Sequence, residues 1–349
     1  MKQCFVASLK ADQNITSYFL VCEKEVRATR EGKSYLRMEL GDCSGRVEAR
    51  MWDNFERHAA LFERDDFVKV QGRVESYRNK LQLMIEKIRP AEDHEVEAAD
   101  FFAHTTEDVD LLYAKLLEFV ASVENPWLRR LLDSVVLDPA IIPRLKRAPA
   151  AKVMHHAYFG GLLEHVVSLC GLCKVVLSHY PEANADLLMT GALLHDVGKL
   201  EELSYDRSIG YTDDGQLLGH IVLECESVGR KIDAIPGFPA SLKTLVLHML
   251  LAHHGRYEFG SPKLPMFREA LMLHYLDDLD SKMGAVRSAL ASDKGEGYWT
   301  QYSGALERRI LRVDEFRKIS EVAEAKYAVG QTLVEALLRP QAKEKGDEF

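Results

Sequence analysis

Apolar and polar side chains alternate along residues 15–90 with the two-residue period of half-buried β-strands. The pattern predicts a strand beginning at Phe19 and further strands over 33–40, 46–52, 67–74 and 81–85, with a short helix near 55–62. Three strands, a helix and two more strands within about 75 residues is the order of elements in an OB-fold barrel. We therefore predict an all-β N-terminal domain over residues 1–90.

Beyond residue 110 the apolar positions recur with helical spacing. Val109, Leu112 and Leu116 begin a stripe that ends before Asn125-Pro126, and Asp138-Pro139 carries the signals of a helix start. Further periodic segments predict helices over 160–178, 184–196, 216–233, 241–253, 266–285 and 306–338. The fold class is therefore multidomain, an OB-fold barrel followed by an all-α domain. The predicted bounds are a helical connector over 111–150, a main helical domain over 151–338 and a polar tail over 339–349.

Charge is distributed unevenly along the chain, whose net charge is −9. Residues 91–110 contain eight acidic residues and no Lys or Arg, which is typical of a linker, whereas residues 1–90 contain 17 basic and 14 acidic residues. Because salt screens charges over about 8–10 Å, a locally basic barrel can attract phosphates although the whole chain is acidic. Overall acidity therefore does not exclude a single-stranded RNA or DNA partner.

The remaining composition indicates a cytoplasmic protein. Six widely spread cysteines do not resemble a disulfide framework. No uninterrupted apolar run reaches the roughly 18 residues of a membrane-spanning helix, so no membrane association is expected.

Histidines are concentrated in the helical region, where ten of the thirteen lie between residues 155 and 274. His165, His195, His254 and Asp277 each share a helix face with apolar residues. A charge buried alone is costly, but histidines and carboxylates converging from several helices can bind a divalent metal. The sequence therefore predicts a metal site inside the helical domain.

The segment His195-Asp196-Val197-Gly198-Lys199 is the most specific motif in the chain. Adjacent His and Asp can bind one ion together, or the Asp can bridge two ions. Gly198 lets the chain leave the helix, and Lys199 then lies within a turn of the metal, where an ammonium can stabilise a phosphate or a leaving oxygen. We predict catalytic roles for Asp196 and Lys199.

This motif resembles that of the HD-domain metal-dependent phosphohydrolases. The resemblance implies that His165, His195, Asp196 and Asp277 are metal ligands, with Asp280 as the alternative to Asp277. HD proteins with two metals have three additional histidines, and His220, His253 and His254 match those positions.

An OB fold ahead of an HD domain, together with the segments 155–162 and 257–262, resembles the YhaM-type 3′→5′ exoribonucleases. The resemblance implies manganese-stimulated removal of nucleotides from the 3′ ends of RNA or single-stranded DNA. We expect one or two divalent ions, Mn²⁺ first, with Fe²⁺, Co²⁺ or Mg²⁺ as alternatives. Bound metal lowers the pKa of water, so we hypothesise that hydroxide at a site bridged by Asp196 attacks the terminal phosphodiester.

The barrel is predicted to hold the strand, because OB folds bind single strands on their second and third strands and on the loop between strands four and five. The side chains predicted to bind there are Tyr35, Arg37, Arg50, Trp52, Tyr77, Arg78 and Lys80. Arg256, Ser261 and Lys263 follow the paired histidines and are candidate phosphate ligands.

Two other functions remain open at this point. One is an HD phosphohydrolase of nucleotides or small phosphoesters whose barrel serves assembly, and the other is a nucleic-acid-binding adaptor with an inactive HD domain. The exposed aromatic and arginine residues of the barrel favour a strand-binding enzyme over the first, and the complete ligand set with Lys199 disfavours the second. The sequence also leaves open whether the protein forms a homo-oligomer.

Overall fold

The computed structural model describes residues 2, 4–29, 31–77, 80–97, 100–151, 158–205, 209–293, 295 and 297–318. The chain divides into two compact units, Met1–Asp280 and Ser281–Phe349. The first unit contains the predicted barrel and all the candidate metal ligands.

A closed five-stranded barrel forms the N-terminal part, as the alternating pattern predicted. Its strands are β1 (Asn14–Ala28), β2 (Ser34–Asp42), β3 (Gly45–Met51), β4 (Phe67–Tyr77) and β5 (Lys80–Pro90), and α1 (Phe55–Ala59) lies between β3 and β4. The strands are hydrogen-bonded in the order β1-β2-β3-β5-β4, and β3 pairs with β5 in parallel. This is the OB-fold order of elements, so the predicted fold of residues 1–90 is confirmed.

Alternation determines which side chains fill the barrel. On β2 the side chains of Leu36, Met38 and Leu40 are fully buried, and on β3 Val47 and Met51 are at most 5% exposed. Successive side chains of a strand point to opposite faces, so the residues between them lie on the outer face. Tyr35 and Arg37 on β2 and Arg50 on β3 therefore lie on the outer face of the barrel, as the alternation predicted.

The acidic segment after the barrel is packed against the protein and is not an open spacer. Phe101 and Phe102 are buried in the same apolar core as the helices, and their rings contact Phe67 and Phe159 with centroid distances of 4.5 and 5.0 Å, respectively. Its acidic residues predicted a linker. The two aromatic side chains, however, bury enough apolar surface to hold the segment against the barrel at Phe67 and against the helical region at Phe159.

The helices that follow are α2 (Val109–Ala121), α3 (Pro126–Val136), α4 (Ile142–Arg147), α5 (Gly161–His179), α6 (Ala185–Leu194), α7 (Lys199–Glu202), α8 (Asp213–Asp233), α9 (Ala240–Ala252) and α10 (Arg268–Ser292). Two short strands, β6 (Leu203–Ser204) and β7 (Gly210–Tyr211), pair between α7 and α8. The predicted all-α class of this domain is confirmed, with the β6–β7 pairing as a small addition to the helices.

The predicted end of the helical stripe before Asn125-Pro126 is confirmed, because α2 ends at Ala121, but the same two residues also begin the next helix. Asn125 Oδ1 accepts hydrogen bonds from the amides of Trp127 and Leu128, and the proline occupies the first turn of α3. The helix predicted at Asp138 begins later, at Ile142. Asp138 instead forms a turn, in which its Oδ1 accepts from the amide of Ala140 at 2.9 Å.

Helix α5 is by length and composition apolar enough to cross a membrane, with a mean hydropathy of 1.5, although half of that window is buried inside the protein. Glu164, His165 and Lys174 interrupt its apolar sequence, so it is not an uninterrupted apolar run. Its buried face packs into the helical core, which is the pattern of an interior helix.

In the second unit, α10 ends at Ser292 and the chain then forms isolated bridges between Trp299 and Leu311 and between Ser303 and Arg308. The helix predicted over 306–338 is therefore wrong at its start, because residues 306–312 lie in these bridges and turns while helix is present at 313–318. Residues 319–338 lie outside the described part of the chain.

Candidate metal centre and nucleic-acid groove

The first group of candidate ligands comes from three different helices. His165 lies in the second turn of α5, His195 caps the C-terminus of α6 with Asp196 next to it, and Asp277 lies on α10. His165 Nε2 is 3.2 Å from His195 Nε2 and 3.2 Å from Asp277 Oδ1. His195 Nε2 is 3.3 Å from Asp196 Oδ2. The fold thus brings together four residues that are up to 112 positions apart in sequence.

Asp277 and Asp280 lie on opposite nitrogens of the same imidazole. Asp280 Oδ2 is 2.8 Å from His165 Nδ1, and its other oxygen accepts a hydrogen bond from the Ser168 hydroxyl at 2.6 Å. A carboxylate in this position fixes the ring and its tautomer, so that Nε2 faces the ligand cluster. The geometry therefore favours Asp277 as the ligand and Asp280 as the residue that orients His165.

A second group is formed by His220, His253 and His254, whose candidate ligand atoms all lie within 4.8 Å of one another. The Nδ1 atoms of His253 and His254 are hydrogen-bonded to the carbonyl oxygens of Leu250 and Phe259 at 2.6 and 2.8 Å. Because a carbonyl oxygen only accepts, Nδ1 of both rings carries the proton and Nε2 presents a lone pair.

His220 is oriented by a residue that the sequence analysis missed. Glu202 Oε1 is 3.2 Å from His220 Nδ1 and also accepts from the His220 amide at 3.1 Å. That amide lies at a kink of α8, where Gly219 has non-helical backbone angles, with φ at 73°. A kink in α8 cannot be read from its apolar spacing, and so Glu202 gave no signal.

Asp196 lies between the two groups. Its Oδ2 is near His195 and 2.7 Å from the Lys199 ammonium, while its Oδ1 is 3.8 Å from His220 Nε2. The carboxylate is almost completely buried. Burial opposes its ionisation, but Lys199 and His195 outweigh burial and lower the pKa of Asp196 well below the usual range of a carboxyl group.

The two groups differ in their tendency to hold a proton. Burial opposes protonation of His165, but the hydrogen bonds that Asp277 and Asp280 accept from its ring outweigh burial and raise the pKa of His165 to about 10. Burial and the neighbouring imidazole of His254 lower the pKa of His253 well below its usual value. Without a cation, His165 of the first group therefore holds a proton, whereas His253 and His254 of the second group, whose pKa values are lowered by burial, are neutral imidazoles.

The donor set fits a divalent metal. Nε2 atoms of His220 and His253 are buried and have no hydrogen-bond partner among the described residues, which is unfavourable unless something else occupies the site. Imidazoles with their Nδ1 atoms held by carbonyl or carboxylate oxygens are typical metal ligands. The HD domain implies a dependence on divalent metal, and these residues are the ones that would hold such an ion.

Glu224 is a second residue that sequence reasoning missed. It is completely buried on α8, and within the described residues neither of its carboxyl oxygens has a hydrogen-bond partner. Oε1 lies 3.6 Å from His253 Nδ1, and burial raises the pKa of Glu224 well above its usual value. In the sequence a glutamate on an amphipathic helix reads as a surface residue, so nothing marked this one as buried.

Of the three candidate phosphate ligands after the paired histidines, Arg256 and Lys263 are exposed. Ser261 is 3% exposed, and its hydroxyl is hydrogen-bonded to the carbonyl oxygens of Leu251 and Lys263. The role predicted for Ser261 is therefore corrected, because this hydroxyl closes a loop and does not face solvent. Residues 155–157 of the segment 155–162, part of the family resemblance, lie outside the described residues.

On the barrel, most of the predicted strand-binding residues line one groove. A cavity of about 720 Å³ on the outer face of β2 and β3 is bordered by Arg37, Arg50, Tyr77 and Lys80. Tyr35 and Trp52 are stacked on each other with centroids 4.4 Å apart, and the Arg50 guanidinium lies 5.5 Å from the Tyr35 ring centroid. Arg78 lies outside the described residues.

Acidic side chains in this groove balance part of its positive charge. Glu48 lies between Arg37 and Arg50, with N–O distances of 3.3 and 2.7 Å, and it lowers the net attraction for a phosphate chain. Stacking on Tyr35 and Trp52 is therefore expected to contribute more to holding a strand than long-range attraction does.

A closed barrel ahead of helices that gather histidines and aspartates defines an OB-fold protein with an HD domain, the class of metal-dependent phosphohydrolases. Family models agree with this assignment: the OB-fold nucleic acid binding domain matches residues 21–91, and the HD domain matches residues 162–282.

The relatives narrow the class to a family. The chain is 34% identical over 305 residues to 3′-5′ exoribonuclease YhaM of Geobacillus sp. (strain WCH70), covering 87% of this chain and 93% of that one. It is 35% identical to the Bacillus velezensis (strain DSM 23117 / BGSC 10A6 / LMG 26770 / FZB42) protein of the same name, over 85% and 94% of the two chains, and 34% identical to that of Bacillus subtilis (strain 168), over 88% and 96%. The chain belongs to the YhaM 3′-5′ exoribonuclease family.

Family membership confirms the resemblance seen in the sequence and the assignment of the chain as an enzyme, a hydrolytic nuclease. The individual roles of the metal, catalytic and strand-binding residues stay predictions. The geometry brings the seven candidate metal ligands into two adjacent groups.

Proposed function

We propose that this protein is a metal-dependent exonuclease that removes nucleotides from the 3′ end of single-stranded RNA, with hydrolysis in the HD domain and strand binding on the barrel. The observation that carries the proposal is the position of Asp196 between two ligand groups in an enzyme of the YhaM family. Single-stranded DNA is a second substrate compatible with the same chemistry.

The proposed ligands of one ion are His165, His195, Asp196 and Asp277, and those of a second are His220, His253, His254 and Asp196. We propose Mn²⁺ as the ion, since imidazole and carboxylate ligands together suit a metal of intermediate hardness. Divalent ions bound there would lower the pKa of water and offset negative charge on the phosphodiester.

The residues of the chain position these groups in advance. Asp280 and Ser168 hold His165, the Leu250 carbonyl holds His253, and the Phe259 carbonyl holds His254. Preorganised groups need no rearrangement when charge develops at the phosphate, which is a major source of rate enhancement. We expect loss of any of these supports to reduce metal affinity and activity together.

Lys199 is proposed to bind the phosphodiester near its leaving oxygen. Burial lowers the pKa of Lys199, but Asp196 outweighs burial, so the pKa lies above the usual value and the ammonium stays charged. Its side chain is 14% exposed, and Nζ is 2.7 Å from Asp196 Oδ2. A fixed cation at this position can stabilise the negative charge on a leaving oxygen, and it is not proposed to bind the attacking water.

The test is degradation of a 5′-labelled single-stranded RNA with Mn²⁺, Mg²⁺ or a chelator, in parallel with the same sequence as DNA. A ladder that shortens from the 3′ end with Mn²⁺ and is absent with chelator supports the proposal. Intact oligonucleotide beside hydrolysed mononucleotides would replace it with a small-phosphoester hydrolase. Binding without cleavage under all metal conditions would indicate an inactive adaptor.

A further inference from the structure

Residues 256–260 form a rigid loop next to the second ligand group. The loop begins directly after His254 and Gly255, and its 3₁₀ helix covers Tyr257–Phe259. Gly255 and Gly260, at its two ends, have φ angles of 73° and 81°, which glycine adopts without strain. A Cβ at Gly255 would lie 2.2 Å from the ring of His274, so only glycine fits there.

Hydrogen bonds fix this loop further. The amides of Phe259 and Ser261 donate to the Arg256 carbonyl at 3.1 Å each, and the Ser261 hydroxyl reaches the carbonyls of Leu251 and Lys263. The Phe259 carbonyl accepts from His254 Nδ1 at 2.8 Å, which connects the loop directly to a candidate metal ligand. Movement of the loop would therefore also move His254.

The loop presents aromatic rings to solvent. Tyr257 and Phe259 are 63% and 51% exposed, and the Arg256 guanidinium lies 5.7 Å from the Phe259 ring centroid. Because neither ring is buried, the two rings contribute little to the stability of the fold. Exposed aromatic rings beside an arginine are suited to stack a nucleobase and contact its phosphate.

Two exposed apolar side chains also precede His220, a member of the second ligand group, in the chain. Leu217 and Leu218, directly before Gly219 and His220 on α8, are 81% and 49% exposed. The rings of His220 and His254 have centroids 5.1 Å apart, so the leucines and the aromatic loop lie on chain segments that adjoin neighbouring ligands. Exposed apolar and aromatic side chains suit the π face of a base better than they suit an extended phosphate chain.

We infer that Tyr257 and Phe259 hold the base of the 3′-terminal nucleotide, with Arg256 at its phosphate, and thereby position the terminal phosphodiester at the candidate metal centre. The inference rests on the proposed function and adds a site for the terminal base. Stacking accepts any base, so this site positions the end of the strand without selecting sequence.

The test compares two RNAs on the unaltered protein with Mn²⁺, one with a normal 3′ end and one whose last nucleotide lacks its base. We expect KM for the abasic RNA to be about tenfold higher or more, since stacking of one base is lost. Equal KM and kcat for the two RNAs would overturn the inference. Absence of any cleavage of normal RNA would instead contradict the proposed function, which distinguishes the two failures.

The Phe259→Leu and Tyr257→Leu variants provide the second measurement. Each is expected to raise KM for normal RNA about tenfold, to leave kcat within about twofold and to reduce the difference between normal and abasic RNA. Tyr180→Leu is the matched control, because Tyr180 is 46% exposed and lies at the C-terminal end of α5, far along the helix from His165.

Metal content and thermal stability are measured on the same preparations, because the Phe259 backbone contacts His254. Variants that keep wild-type metal content and still discriminate fully against the abasic end would overturn the inference. So would a variant that lowers kcat in proportion to lost metal with unchanged KM, because its effect would then be on the ligand and not on the base.

Discussion

Asp196 has its two carboxylate oxygens near histidines of different helices, at 3.3 Å from His195 Nε2 and 3.8 Å from His220 Nε2. Because its pKa is depressed by Lys199 and His195, it is ionised throughout the neutral range and can accept a cation on each oxygen.

Asp196→Asn is therefore expected to reduce exonuclease activity by more than about 100-fold. Replacing a residue that only orients a ligand costs about 10–100-fold, and Asp196 is proposed to be a ligand itself. Cleavage rate and bound metal are measured together, with Asp214→Asn on the exposed N-terminus of α8 as the control. Full activity in an Asp196 variant that binds no metal would rule out the proposed mechanism.

Asp277 and Asp280 allow a sharper comparison, because they contact opposite nitrogens of His165. We expect Asp280→Asn to weaken metal binding by about 10–100-fold, and high metal concentration to restore most of its activity. Asp277→Asn should lose more activity and should not be restored by added metal. Titration of activity against Mn²⁺ separates the two, and the reverse ranking would exchange the assigned roles.

Among the elements, the turn from α6 to α7 depends on a close approach of two backbones. Gly198 was predicted to let the chain leave the helix, but its φ and ψ of −63° and −22° are ordinary helical values. A Cβ there would lie 2.2 Å from the His220 carbonyl oxygen and 2.9 Å from Glu224 Cβ. Gly198 is needed because α8 passes directly over the turn that carries His195 and Asp196.

Gly198→Ala is therefore expected to destabilise the protein by about 1–3 kcal/mol, the usual cost of overpacking, and to lower activity by displacing His220. Gly171→Ala in α5 is the matched control, since a Cβ there meets nothing within 4 Å. That control should be as stable as the parent or more stable, by up to about 1 kcal/mol. Chemical denaturation of both variants measures the difference, and equal stability would show that α8 can move aside.

The periodic spacing of apolar residues identified most of the helices and strands, because each element buries one face. It failed where the structure depends on contacts of single residues with neighbouring helices. Leu36, Met38 and Leu40 face the barrel core as their alternation predicted. In contrast, the kink at Gly219 and the buried position of Glu224 depend on contacts between helices. The candidate ligands were found because their residue types are rare on apolar faces, whereas Glu202 looks in the sequence like any surface acid.

For the molecule as a whole, we propose that the barrel holds the body of the strand, while the helical domain carries out the chemistry and holds the terminal base. The barrel groove carries aromatic and basic residues but no group of candidate metal ligands among its described residues. The helical domain carries the candidate ligands and one aromatic loop. This division predicts that the two activities can be impaired separately.

The double variant Tyr35→Ala, Trp52→Ala tests that division. Both rings must be removed, because they stack on each other and one alone still offers a face to a base. We expect affinity for single-stranded RNA to fall about tenfold or more, while cleavage of a small phosphodiester stays unchanged. The slope of the logarithm of RNA affinity against the logarithm of salt concentration should also stay unchanged, because Arg37, Arg50 and Lys80 remain to contact phosphates.

Fluorescence anisotropy with labelled RNA measures the RNA affinity and its salt dependence, and Tyr180→Ala serves as the exposed aromatic control. Undiminished RNA binding by the double variant would mean that the barrel holds the strand elsewhere, whereas a parallel loss of small-substrate cleavage would mean that barrel and metal centre are coupled.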